Sequence, residues 1–119
     1  MLNRIIGHTQ SCDLKELGMP LERCAPDVYH IEVFEGIYRR EYRQPMIWEA
    51  LDWLQSEKNI CIYTYRMTQG RKLALRKADN GVLIKDIPLS KETSEEDAYI
   101  IGIRNAIKFI KSKQEYVQR

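Results

Sequence analysis

Histidine and cysteine are scarce in this chain, two and three residues among 119. Neither histidine has a Ser or Cys at a recognisable motif spacing, so no nucleophile–base arrangement stands out. Glycine is sparse too: Gly36, Gly70 and Gly81 stand singly at turns, and no phosphate-cradling loop is present. No apolar run approaches the roughly 18–20 residues that a membrane span requires. Residues 1–10 hold one Arg, one Leu and two Ile, too little apolar length for a signal peptide, so a cytosolic protein is expected. Three thiols cannot all pair within the chain. A Cys12–Cys24 disulfide is conceivable on paper, but a chain without a secretion signal keeps its thiols reduced. Cys61, within an apolar strand, reads as a small buried hydrophobe.

What is present is an ordinary globular composition, 44% hydrophobic and 30% charged. The length suits one domain with a sizeable core. Net charge is only +2, yet it is uneven. Residues 1–35 carry three basic and six acidic groups, residues 36–91 carry eleven and six, and residues 92–119 carry five of each. The middle of the chain is therefore basic, though less so than a dedicated nucleic-acid binder.

Hydrophobic periodicity sets the expected elements. Residues 1–26 lack a sustained period and read as an irregular N-terminal arm, with a turn or two of helix around Asp13–Leu17 ended by Gly18 and Pro20. Residues 27–119 read as an α+β domain. Tyr29, Ile31 and Val33 alternate along a first strand, Glu35-Gly36 turns it, and Ile37–Arg43 returns. Pro45 opens a helix to about Glu57, with Met46, Ile47, Ala50, Leu51, Trp53 and Leu54 on its apolar arc. Strands follow at Asn59–Arg66, around Leu73 and Leu75, and at Val82–Ile87. Asp79-Asn80-Gly81 supplies the strongest turn signal, and Pro88 stops the last strand. A capping box at Thr93 and Glu96 opens the final helix. Its apolar face runs through Tyr99, Ile103, Ala106, Ile107 and Ile110, widened by Ile100, Gly102 and Phe109. The expected fold is a single five-stranded, largely antiparallel sheet in the order ββαβββα, with both helices on one face.

Few constellations carry chemistry. His8-x3-Cys12 and Cys24-x5-His30 supply two imidazoles and two thiols, the set a tetrahedral zinc ion takes, and such an ion would hold the arm in place. His30-Ile31-Glu32 resembles the histidine–hydrophobe–glutamate motif of rolling-circle initiators and related single-strand nickases. That resemblance implies metal-dependent attack on a phosphodiester by a tyrosine from a later helix, here Tyr99, or Tyr116 in the tail. Ile62-Tyr63-Thr64, followed by two strands and a helix, resembles the opening of a ribonuclease H-like domain. Tyr65 and Tyr99 replace the carboxylates that such a domain needs for its two metal ions. Glu92, Glu95, Glu96 and Asp97 read as first-turn residues favoured by the helix dipole.

Binding surfaces are better represented. Arg66, Arg71, Lys72, Arg76 and Lys77 cluster around one hairpin beside Tyr63 and Tyr65, a combination suited to phosphates and stacked bases. Trp48 and Ile101 fall on the polar sides of their helices, Trp48 beside Asp52 and Gln55. An exposed Trp is a common interface anchor. The leading expectation is a small non-catalytic binding protein without a cofactor. It would be an adaptor, inhibitor or accessory factor of the kind frequent among phage and mobile-element genes, acting through a protein interface at Trp48, Ile101, Asp52 and Gln55, with a partner protein or a second copy. Nucleic-acid binding by the 66–77 hairpin is the alternative, and the metal-dependent nickase using His30, Glu32 and Tyr99 a second one.

Overall fold

The computed structural model describes residues 2, 4–21, 29–34 and 37–117, and the side chains of residues 2, 4–21 and 44–114. It is an α+β protein with helices α1 (His8–Glu16), α2 (Ile47–Lys58) and α3 (Glu95–Val117), and strands β1 (Tyr29–Phe34), β2 (Ile37–Arg43), β3 (Ile60–Met67), β4 (Gly70–Lys77) and β5 (Leu83–Leu89). The chain divides into two compact units, Met1–Ala50 and Leu51–Arg119. No described helix is long and apolar enough to cross a membrane.

The strands form two sheets, a β1–β2 hairpin and an antiparallel β3–β4–β5 meander, so the single five-stranded sheet is corrected. The reason lies in β2. Its sequence alternates Arg39, Glu41 and Arg43 with Tyr38, Arg40 and Tyr42, which leaves it no apolar face to add to a helix-covered sheet. Helix α3 lies along β3 and β4.

In the first unit, α1 is longer than its weak periodicity suggests, and it ends as a helix should. Gly18, at φ 109°, follows the last turn. The Met19 and Gly18 N–H groups donate back to the Leu14 and Lys15 carbonyls, both at 3.0 Å. This double closure is the Schellman motif, which favours glycine at the left-handed position. Ser11 is buried and donates its hydroxyl to the Gly7 carbonyl at 2.9 Å. Helix α2 begins at Ile47, two residues after Pro45. Its open N–H groups are met from the N-terminal segment, Ile47 by the Arg4 carbonyl at 2.9 Å and Trp48 by the Leu2 carbonyl at 3.1 Å. Glu49 reaches back to accept the Met46 N–H at 3.0 Å, one half of a capping box. Ile6, Leu14, Leu21 and Ile47 are fully buried.

In the second unit, Asn59 takes the left-handed φ of 58° after α2 and so turns the chain into β3. It also anchors the far turn of the meander. Its Oδ1 accepts from the Asp79 N–H at 2.9 Å and its carbonyl from Ala78 at 3.0 Å. That turn is a four-residue loop between Lys77 and Val82, with Gly81 at φ 73°, rather than a two-residue Asn-Gly turn. Pro88 does not stop β5. It pairs with Lys72 on an edge strand, where its missing donor is tolerated. Ser94, not Thr93, caps α3, its Oγ accepting the Asp97 N–H at 3.1 Å. Ala98, Ile103, Ala106, Ile107 and Ile110 are buried on the face of α3 turned to the sheet, close to the expected stripe.

Candidate binding surface

Strand alternation gives the three-stranded sheet two chemically different sides. Register places Ile62 opposite Leu75, and Thr64 opposite Leu73. These positions lie under α3, because a Cβ on Gly102 would meet Ile62 Cγ2 at 2.6 Å and Leu73 Cδ1 at 3.2 Å. The other side is set by the pairs Cys61–Arg76–Leu83, Tyr63–Ala74–Asp86, Tyr65–Lys72–Pro88 and Met67–Gly70. Exposed apolar surface gathers there: Tyr65 is 43% exposed, Met67 52% and Leu83 46%, with Val82 beside it at 53%.

Polar groups on this open side are tied to one another. Tyr63 and Tyr65 stack with ring centroids 6.1 Å apart. Arg76 Nε donates to the Tyr63 hydroxyl at 2.6 Å, and Arg76 Nη1 donates to the Gly81 carbonyl at 3.0 Å. Lys72 Nζ pairs with Asp86 Oδ2 at 3.0 Å. The hydrogen bond to Asp86, then its charge, holds the Lys72 ammonium above its ordinary pKa. The Tyr63 hydroxyl does the same for Arg76. The surface is thus a pre-ordered mosaic of aromatic, aliphatic and paired charged groups, with Ala74 buried in its middle.

The basic cluster read from the hairpin is divided by this geometry. Lys72 and Arg76 share the open side with Tyr63 and Tyr65, whereas Arg66, Arg71 and Lys77 belong to the register of the α3 side. Arg71 is only 9% exposed, with Nη1 3.5 Å from Thr64 Oγ1. Its Nε has no hydrogen-bond partner among the described residues. Register would have separated these residues from the start, since the two-residue Thr68-Gln69 turn fixes every β3–β4 pair. Cys61 is a free, partly exposed thiol on the open side rather than a buried one.

The interface residues read from the helices lie on α2 and α3. Trp48 is 47% exposed, its indole N–H directed to Met46 Sδ at 3.3 Å. Asp52 and Gln55 follow it at four- and three-residue steps along α2, and both are exposed. Ile101 belongs to α3 and is half-buried, with its carbonyl accepting from Asn105 Nδ2 at 2.8 Å.

Of the metal and nickase residues, the His8 and Cys12 side chains lie together on α1, with Cys12 Sγ 3.6 Å from both ring nitrogens. Cys24 and the side chains of His30, Glu32 and Tyr116 lie outside the described residues. The backbone of His30 pairs with Tyr42, and that of Glu32 with Arg40. Among the described residues no group of three or more His, Cys, Asp or Glu could hold a metal ion. Tyr99 is part-buried on α3, and that burial raises its phenol pKa, opposed by a hydrogen bond with the Thr64 backbone. An activated phenolate needs the opposite shift. Tyr65 and Tyr99, which stand where a ribonuclease H-like site has carboxylates, occupy opposite sides of the sheet.

Compared with protein families, with curated proteins and with solved structures, the chain matches none.

Proposed function

We propose that this chain is a small non-catalytic binding protein, an adaptor, inhibitor or accessory factor, that grips another protein through the open side of β3–β4–β5. One observation carries the reading: Tyr65, Met67 and Leu83 project their exposed apolar surface from the same side of one sheet. Such a concentration favours a protein partner, because desolvating it rewards apolar contact while the Lys72–Asp86 pair brings little net charge. The double variant Tyr65→Ser/Leu83→Ser alters exposed side chains and should leave the fold intact, which an unchanged circular dichroism spectrum checks. Wild-type and variant protein are used as baits in nuclease-treated extract of the native host. Partners retained by the wild type and lost by the variant support the reading; identical sets of partners sink it.

Nucleic-acid binding has one observation in its favour, the stacked Tyr63–Tyr65 pair beside Arg76 and Lys72. Salt distinguishes the two. Affinity for a single strand falls steeply between about 50 and 200 mM salt as counterions are released, whereas an apolar protein contact hardly changes.

A further inference from the structure

On the α3 side of the same sheet, two adjoining clefts follow the seam between the helix and β5. Their volumes are about 260 and 240 Å³, and Ile84 and Phe109 line both. The rest of the apolar floor is aliphatic, with Ile60 and Ile110 in the first hollow and Leu75 in the second. Lysines surround it: Lys58, Lys77 and Lys113 at the first, Lys85 and Lys108 at the second. Among the described residues no carboxylate lines either hollow. Three of the five ammonium groups rest instead on neutral partners. Lys113 Nζ lies 4.7 Å from the Phe109 centroid, Lys58 Nζ 5.6 Å from that of Trp53, and Lys85 Nζ donates to Asn105 Oδ1 at 3.0 Å. This differs from the open side, where Lys72 is neutralised by Asp86.

We infer that this seam binds an acidic, amphipathic segment of a partner protein, with one apolar side chain in each hollow and carboxylates on the lysine rim. Charge complementarity chooses the occupant. Five cations spread along two hollows exceed what one anionic head group engages, which disfavours a single-chain lipid. Among the described residues Phe109 is the one aromatic ring in this lining and already carries the Lys113 ammonium, so the surrounding aliphatic surface suits Leu, Ile or Phe side chains better than nucleobases, which seek open aromatic platforms. Each hollow has the size of one large side chain rather than of a drug-sized ligand, for which pockets of about 300–1,000 Å³ are typical. The site goes beyond the open-side reading and stands on different residues.

The probe is a fluorescein-labelled peptide with Leu or Phe at every third and fourth position and Glu between, titrated into the intact protein and followed by anisotropy. Controls are a scramble of equal composition, the same pattern with Lys for Glu, oligothymidylate and phosphatidylglycerol vesicles. The patterned acidic peptide should bind about tenfold more tightly than its scramble, and the basic peptide should not bind. Lys77→Glu/Lys113→Glu, both on accessible side chains, should weaken binding at least about tenfold with the thermal midpoint kept. Tyr65→Ser/Leu83→Ser should leave it unchanged, which separates this site from the open side. Absence of peptide binding, equal binding of the scramble, indifference to the two charge reversals, or preference for oligothymidylate or vesicles would each overturn the inference.

Discussion

At Tyr99 the phenol has lost part of its water against β3, and burial is the largest cause of its raised pKa; the nearby Glu95 charge pushes the same way. The folded protein therefore holds this proton to higher pH than the unfolded chain, whose phenol titrates near the ordinary 10.0. Below that value the differential is fully present. As pH climbs through 10.0 toward the folded pKa, the unfolded state sheds its proton first and stability falls. Lys72, also raised, contributes a loss of the same sign above its ordinary 10.5. Tyr99→Phe should thus flatten the alkaline decline of the urea midpoint without abolishing it. Phenolate absorbance of the native protein should show one tyrosine titrating later than in the variant. Superimposable pH–stability curves would show that Tyr99 is not the group responsible.

Among elements, α3 packs closely on β3 and β4. Gly102 lets the helix approach until only a hydrogen atom separates its Cα from the Ile62 and Leu73 side chains. Ala in an exposed helix would gain about 1 kcal/mol over Gly. Here its methyl would enter space that Ile62 Cγ2 already fills, at 2.6 Å. Overpacking of this kind costs about 1–3 kcal/mol, and β-branched Ile62 has few rotamers to retreat into. Gly102→Ala should therefore lower the denaturant midpoint with an unchanged m-value; a higher midpoint would mean that α3 can lift from the sheet at little cost. The α3 stripe was legible in the sequence because a 3.6-residue period repeats over many turns and random exceptions average out. Its cap was misplaced by one residue because Thr93 and Ser94 are chemically equivalent candidates, and only geometry gave the Asp97 N–H to Ser94. The division of the strands into two sheets was less legible, since period-two alternation identifies strands but not which neighbours they choose. Lys58, Lys77, Lys85, Lys108 and Lys113 left no local pattern at all. They come from four elements and meet only through the packing of α3 on the sheet.

For the whole molecule, the two compact units raise the question of whether each holds together by its own core. In the second, Leu54, Ile60, Leu73, Leu75 and Ile103 are essentially inaccessible, and Ala98 and Ala106 allow α3 to lie close above them. Its strands are consecutive in sequence, so the meander closes with short loops and little loop-closure entropy. Many domains of about 55–65 residues fold alone. A fragment spanning 46–119 exceeds that length and keeps α2 whole, with Glu49 still able to accept the Met46 N–H. It should give a dispersed amide spectrum and a single cooperative unfolding transition, at a lower midpoint than the full chain. Slow hydrogen exchange should concentrate in β3, β4 and the buried turns of α3, because these carry the densest apolar burial in the unit. A collapsed spectrum with random-coil shifts would show instead that residues 1–45 supply stability which the sheet and its helix lack.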